Sequence, residues 1–318
     1  MSNNTNLNIA KSAKNDEFYT RFEDIEKELK NYKDFFRGKV VYCNCDRVDG
    51  DNRSNFFVYF VENFKEFGLK RLICTSYNKG GKGRLCIYDD ETNLNNIIDM
   101  DGDGDFRSEE CVKWLKKCDV VVTNPPFSLF RDFVSQLVKY DKKFLIIGNI
   151  NAITYKEIFP LIKENKLWVG ISTFNNGMYF AIPNDYEYKD TYKFKREIDG
   201  KKVMRVASIC WFTNISHSKR NLPLDLYKKY NPKDYPKYDN YDAINVDKTS
   251  DIPMDYNDVM GVPITFLDKY CPTQFEIVGM AEDNGKGQSG KANWDGLNPH
   301  CVINGENKYK RIFILKII

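Results

Sequence analysis

Val120, Val121, Val122 and Thr123 are all β-branched, and the run stops dead on Asn124-Pro125-Pro126-Phe127. Four such residues with no polar alternation read as a strand covered on both faces, as in the interior of a parallel sheet. Two successive prolines fix φ and remove two backbone donors, so the strand ladder ends there. Phe130, Phe133, Val134 and Leu137 then recur three or four apart, which predicts a helix with one buried face. A buried strand, a stiff turn and an amphipathic helix in direct succession point to an α/β sheet.

The rest of the first half follows the same grammar. Lys39-Val-Val-Tyr-Cys-Asn-Cys, Arg71-Leu-Ile-Cys-Thr and Lys143-Phe-Leu-Ile-Ile-Gly read as short buried strands, and Leu85-Cys-Ile-Tyr pairs nearby. Helices are predicted on Phe22, Ile25 and Leu29, on Phe57, Phe60, Val61 and Phe64 with Ser54 as cap, and on Cys111, Trp114 and Leu115. Leu167-Trp-Val-Gly, Gly177-Met-Tyr-Phe-Ala-Ile and Ser208-Ile-Cys-Trp-Phe-Thr read as closing strands. The alternation through residue 150 predicts a doubly wound parallel sheet. Near Ser216 the texture changes, and residues 217–257 are rich in Tyr, Pro, Asp, Asn and Lys. The expected organisation is a flexible arm (1–15), a main domain (16–216) and a smaller C-terminal region (217–318).

Composition narrows the class. Among 318 residues, 48 Lys+Arg against 45 Asp+Glu leave a net charge of +3, which permits a nucleic-acid partner without demanding one. No apolar stretch approaches the ~18 residues of a membrane span. Residues 1–15 are polar and Asn-rich, without the apolar core of a signal peptide, so a cytoplasmic protein is expected. Nine cysteines in such a chain read as buried thiols, and no second pair stands at zinc spacing from Cys43 and Cys45; no metal is expected. Asp101-Gly-Asp-Gly-Asp lacks the glycine and glutamate of a calcium loop. The run from Gly285 to Lys291 lacks the Ser/Thr and the helix of a phosphate loop, and reads as a flexible basic loop.

The turn after the buried strand carries the chemistry. Ligands of open α/β sheets bind beyond the carboxyl ends of strands, where Asn124-Pro125-Pro126-Phe127 sits. The Asn124 side-chain oxygen and the Pro125 carbonyl, rigidly aimed by the prolines, can each accept one N–H from a planar exocyclic amine. Tilting those hydrogens out of plane withdraws the nitrogen lone pair from the ring, leaving it able to attack a methyl sulfonium in line. Phe127 offers a face on which the ring stacks. The plainer reading is a stiff strand-to-helix turn and nothing more.

The chain resembles the adenine-N6 DNA methyltransferases, and the EcoRI-type modification methylases in particular. The resemblance runs through Asp16-Glu-Phe-Tyr-Thr, Val40-Val-Tyr-Cys-Asn-Cys-Asp, Ser54-Asn-Phe-Phe, Gly102-Asp-Gly-Asp-Phe-Arg-Ser and Val121-Val-Thr-Asn-Pro-Pro-Phe-Ser-Leu-Phe. It continues through Lys142-Lys-Phe-Leu-Ile-Ile, Tyr235-Pro-Lys-Tyr-Asp-Asn-Tyr-Asp-Ala-Ile-Asn-Val and Val259-Met-Gly-Val-Pro-Ile-Thr-Phe-Leu, nearly the whole chain. It implies a Rossmann-like S-adenosylmethionine-dependent methyltransferase sheet with a smaller C-terminal DNA-recognition region, acting on double-stranded DNA. By the family pattern Tyr19 and Thr20 lie near the methionine end of the cofactor. Cys43, Asn44, Cys45 and Asp46 replace the usual glycine-rich loop, followed by Asn55 and Phe56. Asp105 and Phe106 match the pair that holds the cofactor's adenine. The second strand lacks the acidic residue usual on the cofactor ribose; Asp89 and Asp90 are the candidates nearby.

Adenine N6 is stacked and paired in a duplex, so a pocket walled by Phe127 implies base flipping. Tyr179 or Phe180 would close the other face of the base, a role set against ordinary strand core. In residues 217–258, Lys237 and its neighbouring lysines would neutralise phosphates. Asn240 and Asn245 would pair with adenine edges, with Tyr238 and Tyr241 interleaved, set against a plain surface loop. The expected activity is site-specific adenine-N6 methylation, in a restriction–modification system or a phage-borne relative. A cognate endonuclease acting on the same site without direct contact is compatible with it, and a monomer suffices. The rivals are cytosine-N4, RNA-adenine or protein-glutamine methylation by the same turn, and a silent DNA-binding homologue.

Overall fold

The computed structural model describes residues 19–50, 53–89, 96–172, 174, 176–182, 195–198, 200–281 and 287–317. The arm expected over 1–15 lies outside them. The chain divides into two compact units, Met1–Ile158 with Val169–Ile215, and Phe159–Trp168 with Ser216–Ile318.

The first unit contains strands β1 (Tyr19–Thr20), β2 (Val40–Cys43), β3 (Arg71–Ser76), β4 (Arg84–Tyr88), β5 (Ile97–Asp99), β6 (Val120–Thr123) and β7 (Lys143–Asn149). It continues through β9 (Met178–Ala181), β10 (Lys195–Ile198), β11 (Lys201–Val206) and β12 (Ile209–Thr213), and β8 (Trp168–Val169) falls where the division between the units is drawn. Its longer helices are α1 (Phe22–Leu29), α2 (Asn55–Glu62), α3 (Glu109–Lys117) and α4 (Phe130–Lys139). The large sheet runs β5-β4-β3-β2-β6-β7-β12-β8. The predicted α/β class holds, but the sheet is mixed. Pairs β3–β2, β2–β6 and β6–β7 are parallel, whereas β4, β5 and β12 pair antiparallel. The turn between β3 and β4 is too short for the crossover of a dozen or more residues that a parallel return needs. The strand expected at residue 177 also departs from this sheet: β9 joins a separate four-stranded sheet, β1-β9-β11-β10.

Interior strands carry apolar runs without polar alternation because both faces are covered. All four residues of β6 are buried. On one face, α1 and α2 pack an aromatic cluster in which Phe36 meets Phe60 and Phe67 edge-on at 5.5 and 5.4 Å. Ser54 caps α2 by accepting from the Phe56 amide, as its position predicts. Of the nine cysteines, eight are buried and Cys45 is half-buried. No helix among the described residues is long and apolar enough to cross a membrane.

A buried carboxylate fixes α1. Glu28 accepts from the Tyr32 hydroxyl (2.8 Å) and from the amides of Ile171 (2.8 Å) and Ser172 (2.7 Å), while burial pushes its pKa up. Gly170 makes this approach possible. A Cβ there would run into Glu28 Oε1 and would lie 2.6 Å from Trp211 Cβ.

In the second unit a sheet runs β13-β14-β18-β15, built of β13 (Ile244–Asn245), β14 (Met260–Pro263), β15 (Phe275–Met280) and β18 (Arg311–Lys316). A hairpin of β16 (Val302–Ile303) and β17 (Glu306–Asn307) precedes β18. Tyr238, Tyr241 and Phe313 share its core. Asn240 and Asn245, expected at base edges, and the interleaved Tyr238 and Tyr241 are interior here, and their polar atoms are committed. Tyr238 donates to Asn245 Oδ1 (2.8 Å) and Tyr241 to the Pro299 carbonyl (3.0 Å). Asn240 donates to the Asn298 and His300 carbonyls and accepts from the Val302 amide. Asn245 also donates to Asp247 (2.9 Å). Asn240 and Tyr241 thereby pair buried backbone groups, whereas Asn245 is held by side chains.

Gly170→Ala should cost about 1–3 kcal/mol, because overpacking at Trp211 Cβ has no flexible chain end to absorb it. Urea denaturation checks this, and an unchanged midpoint would contradict the packing.

Candidate active site at the carboxyl edge of the sheet

Strands β2, β3 and β6 run parallel and end together, and a cleft of about 700 Å³ opens where they end. Its size suits a ligand of nucleoside dimensions. Asp46, just past β2, ties the edge together. Its carboxylate accepts from the hydroxyls of Ser54 and Thr123, the latter at 2.5 Å, and its amide donates to the Thr75 carbonyl at 3.0 Å. Ser54 begins α2, Thr123 ends β6 and Thr75 lies in β3. Burial raises the Asp46 pKa to about 6, against the lowering effect of the two hydroxyls.

The residues expected around a cofactor fall as follows. Tyr19, Thr20, Asn44, Cys45, Asp46, Asn55, Phe56, Asp105 and Phe106 all line the cleft; Cys43 is sealed in the core instead. Asn44 is 1% exposed, and neither amide atom has a hydrogen-bond partner among the described residues. The Thr20 hydroxyl is likewise buried without a partner among them. Buried amides and hydroxyls are almost always satisfied, so these mark a place for ligand contacts. Asn55 donates to the Thr20 carbonyl at 2.7 Å, joining α2 to β1.

Asp105 and Phe106 are delivered by the turn that the sequence places there. Gly104 has φ +81°, and a Cβ on it would collide with the Ser76 carbonyl oxygen, so only glycine allows this turn to close on β3. Arg107 grips Asp105 through Nη2–Oδ2 (2.6 Å) and Nε–Oδ1 (2.9 Å), which holds the carboxyl below the usual range. Phe106 packs edge-on to Phe133 at 4.9 Å.

Asn124 is half-buried on the cleft wall with Pro126; Pro125 is buried behind them. Phe127, half-buried, meets Phe180 edge-on at 6.4 Å. Phe180 is fully buried in β9 and Tyr179 is half-buried. Sequence reasoning missed Asp49, Tyr77 and Arg84 in the cleft wall, where Arg84 bridges Asp49 (3.3 Å) and Asp99 (2.5 Å). An acidic residue in the loop after β2 was the available signal. Asp89 is ion-paired to Arg71 at 2.8 Å and is not among the cleft residues; Asp90 lies outside the described residues. In the second unit Lys237 is exposed.

The family model described as "Adenine-specific methyltransferase EcoRI" matches residues 6–316. The chain belongs to that family. It is 47% identical to the Type II methyltransferase M.EcoRI of Escherichia coli, over 97% of this chain and 95% of that one. It is 42% identical to M.MgeORF184P of Mycoplasma genitalium (98% of each chain). It is 42% identical to M.MpnI of Mycoplasma pneumoniae (86% of this chain, 84% of that one). Both of these are also Type II methyltransferases. No solved structure matches the chain.

Asp46 yields a pH prediction. Its folded pKa of about 6 exceeds the ordinary ~3.9, so the fold prefers the protonated acid. Its contribution is full below about pH 4 and is lost as pH rises through about 6. The stability of the wild type relative to Asp46→Asn should therefore fall between pH 4 and pH 7, read by urea denaturation at each pH. A flat difference would contradict the buried carboxylate.

Proposed function

We propose that this chain is a site-specific DNA methyltransferase that moves a methyl group from S-adenosylmethionine to N6 of a flipped-out adenine in double-stranded DNA. The observation that carries this is Asn124 on the wall of the same cleft as the unsatisfied Asn44 amide. Asn44 and Thr20 are the free polar contacts for the cofactor, with Tyr19 toward its methionine end and Asp105 and Phe106 toward its adenine. When bound, the sulfonium supplies an electrophilic methyl group.

Asn124 Oδ1 and the Pro125 carbonyl accept the two N6 hydrogens, and the rigid Pro-Pro backbone holds those acceptors in place. That grip keeps the nitrogen lone pair out of the ring and directed at the methyl carbon; Phe127 stacks on the base. No cysteine thiolate takes part, in keeping with burial that raises the pKa of both Cys43 and Cys45 well above the usual range. Residues 16–216 then form the catalytic domain, and 217–318 the DNA-recognition region. With Tyr238, Asn240, Tyr241 and Asn245 interior, the contacts offered there are the exposed Lys228, Lys229, Lys233 and Lys237. The enzyme acts as a monomer in the bacterial cytoplasm, as the modifying half of a restriction–modification system.

Methylation-aware sequencing of plasmid DNA after incubation with the protein and S-adenosylmethionine should find N6-methyladenine confined to one short motif. Asn124→Ala should cut methylation by ~100-fold or more while calorimetry finds cofactor affinity unchanged; undiminished methylation would remove the mechanism. Changing the four lysines to Gln together should lower DNA affinity for any sequence. It should also flatten the slope of log K against log salt by about 0.9 for each phosphate that is no longer neutralised. An unaltered slope would take the recognition role away from this surface.

A further inference from the structure

Asn149 is the last residue of β7, 7% exposed, at the same edge of the sheet as Asn124. Its Oδ1 accepts from the Asn151 amide at 2.8 Å, capping the short turn that follows. That bond fixes which end of the amide is oxygen, and so fixes where the NH₂ group points. The NH₂ is buried and has no hydrogen-bond partner among the described residues. A buried donor left unmade is costly, and a donor held in place by a bond to its own oxygen cannot rotate away to find one.

Its position is set by the register. Strands β6 and β7 pair in parallel with Thr123 opposite Ile146. The ladder between them stops there; Asn124 follows Thr123 directly and Asn149 ends β7 three residues after Ile146, so both stand beyond the last residues these two strands pair, at their carboxyl ends. Side chains alternate along a strand, so Asn149 shares the face of Leu145 and Ile147. That is the face whose core includes Phe180 and has Phe127 packed against it.

We infer that Asn149 reads the target base: its NH₂ donates to a ring nitrogen flanking the amine, N1 or N7, while Asn124 and Pro125 hold N6. This rests on the adenine-methylation reading above. The amine and the adjacent ring nitrogen are then read together, by acceptors in the turn after β6 and a donor at the end of β7, and the purine is fixed in its own plane as Phe127 fixes it by stacking.

The test is a cycle of kcat/KM values on duplexes carrying adenine, 1-deazaadenine or 7-deazaadenine at the target position. The wild type should lose about tenfold to a hundredfold on one of the two analogues. Asn149→Ala should lose as much on adenine and nothing further on that analogue. Asn149→Asp keeps an acceptor for the Asn151 amide but removes the donor; it should give the same pattern, and serves if the alanine variant fails to fold. Losses that multiply on both analogues would make Asn149 a cap alone and overturn the inference. A wild type that leaves adenine duplexes unmethylated would instead remove the parent reading.

Discussion

One buried carboxylate gathers the working edge of this molecule. Asp46 follows β2, and its bonds reach Ser54 at the start of α2, Thr75 in β3 and Thr123 at the end of β6. The residue after Thr123 is Asn124. The hydroxyl that holds Asp46 is therefore bonded next door to the Asn-Pro-Pro-Phe turn on the cleft wall. Burying an acid without a cation is costly, and here two hydroxyls and an apolar wall set its proton affinity instead of a counter-charge. The cost secures geometry, because each of the three tied segments also contributes to the cleft or borders a residue that does.

The opposite wall is held by shape. Gly104 against the Ser76 carbonyl brings the 101–105 turn down onto β3, and Arg107 then fixes the direction of the Asp105 carboxylate. Charge attraction holds one wall and a shared acceptor the other, so the two respond differently to solution conditions. An exposed Arg–Asp fork weakens with salt, whereas a buried hydroxyl–carboxylate bond does not.

Most of the first unit was legible because its interior strands are built on apolar runs and its helices have clean spacing. Val120–Thr123 and the Ser54 cap both stand where the sequence puts them. Strand direction was less legible. Leu85-Cys-Ile-Tyr is equally apolar whichever way it runs, and only the length of the connection before it decides. The cleft residues given by resemblance fall on the cleft apart from Cys43, whose side chain alternates to the core side of β2. Asp49 and Arg84 were hidden because a surface ion pair has no periodicity to announce it.

The asparagines make the distinction that composition could not. Asn240 and Asn245 look like base readers by type, yet their amides are spent on carbonyls, amides and side chains of their own unit. Asn44 and Asn149 look ordinary, one beside a cysteine pair and one ending a strand. They keep polar atoms buried and unspent at the edge where four parallel strands end. An amide that the fold has already satisfied contributes stability, and one that the fold has buried and left unsatisfied can contribute binding energy only when a ligand arrives. By that criterion the amides of Asn44 and Asn149, at the carboxyl ends of β2 and β7, are open to a ligand. The second unit spends the amides of Asn240 and Asn245 on its own groups and presents lysines outward.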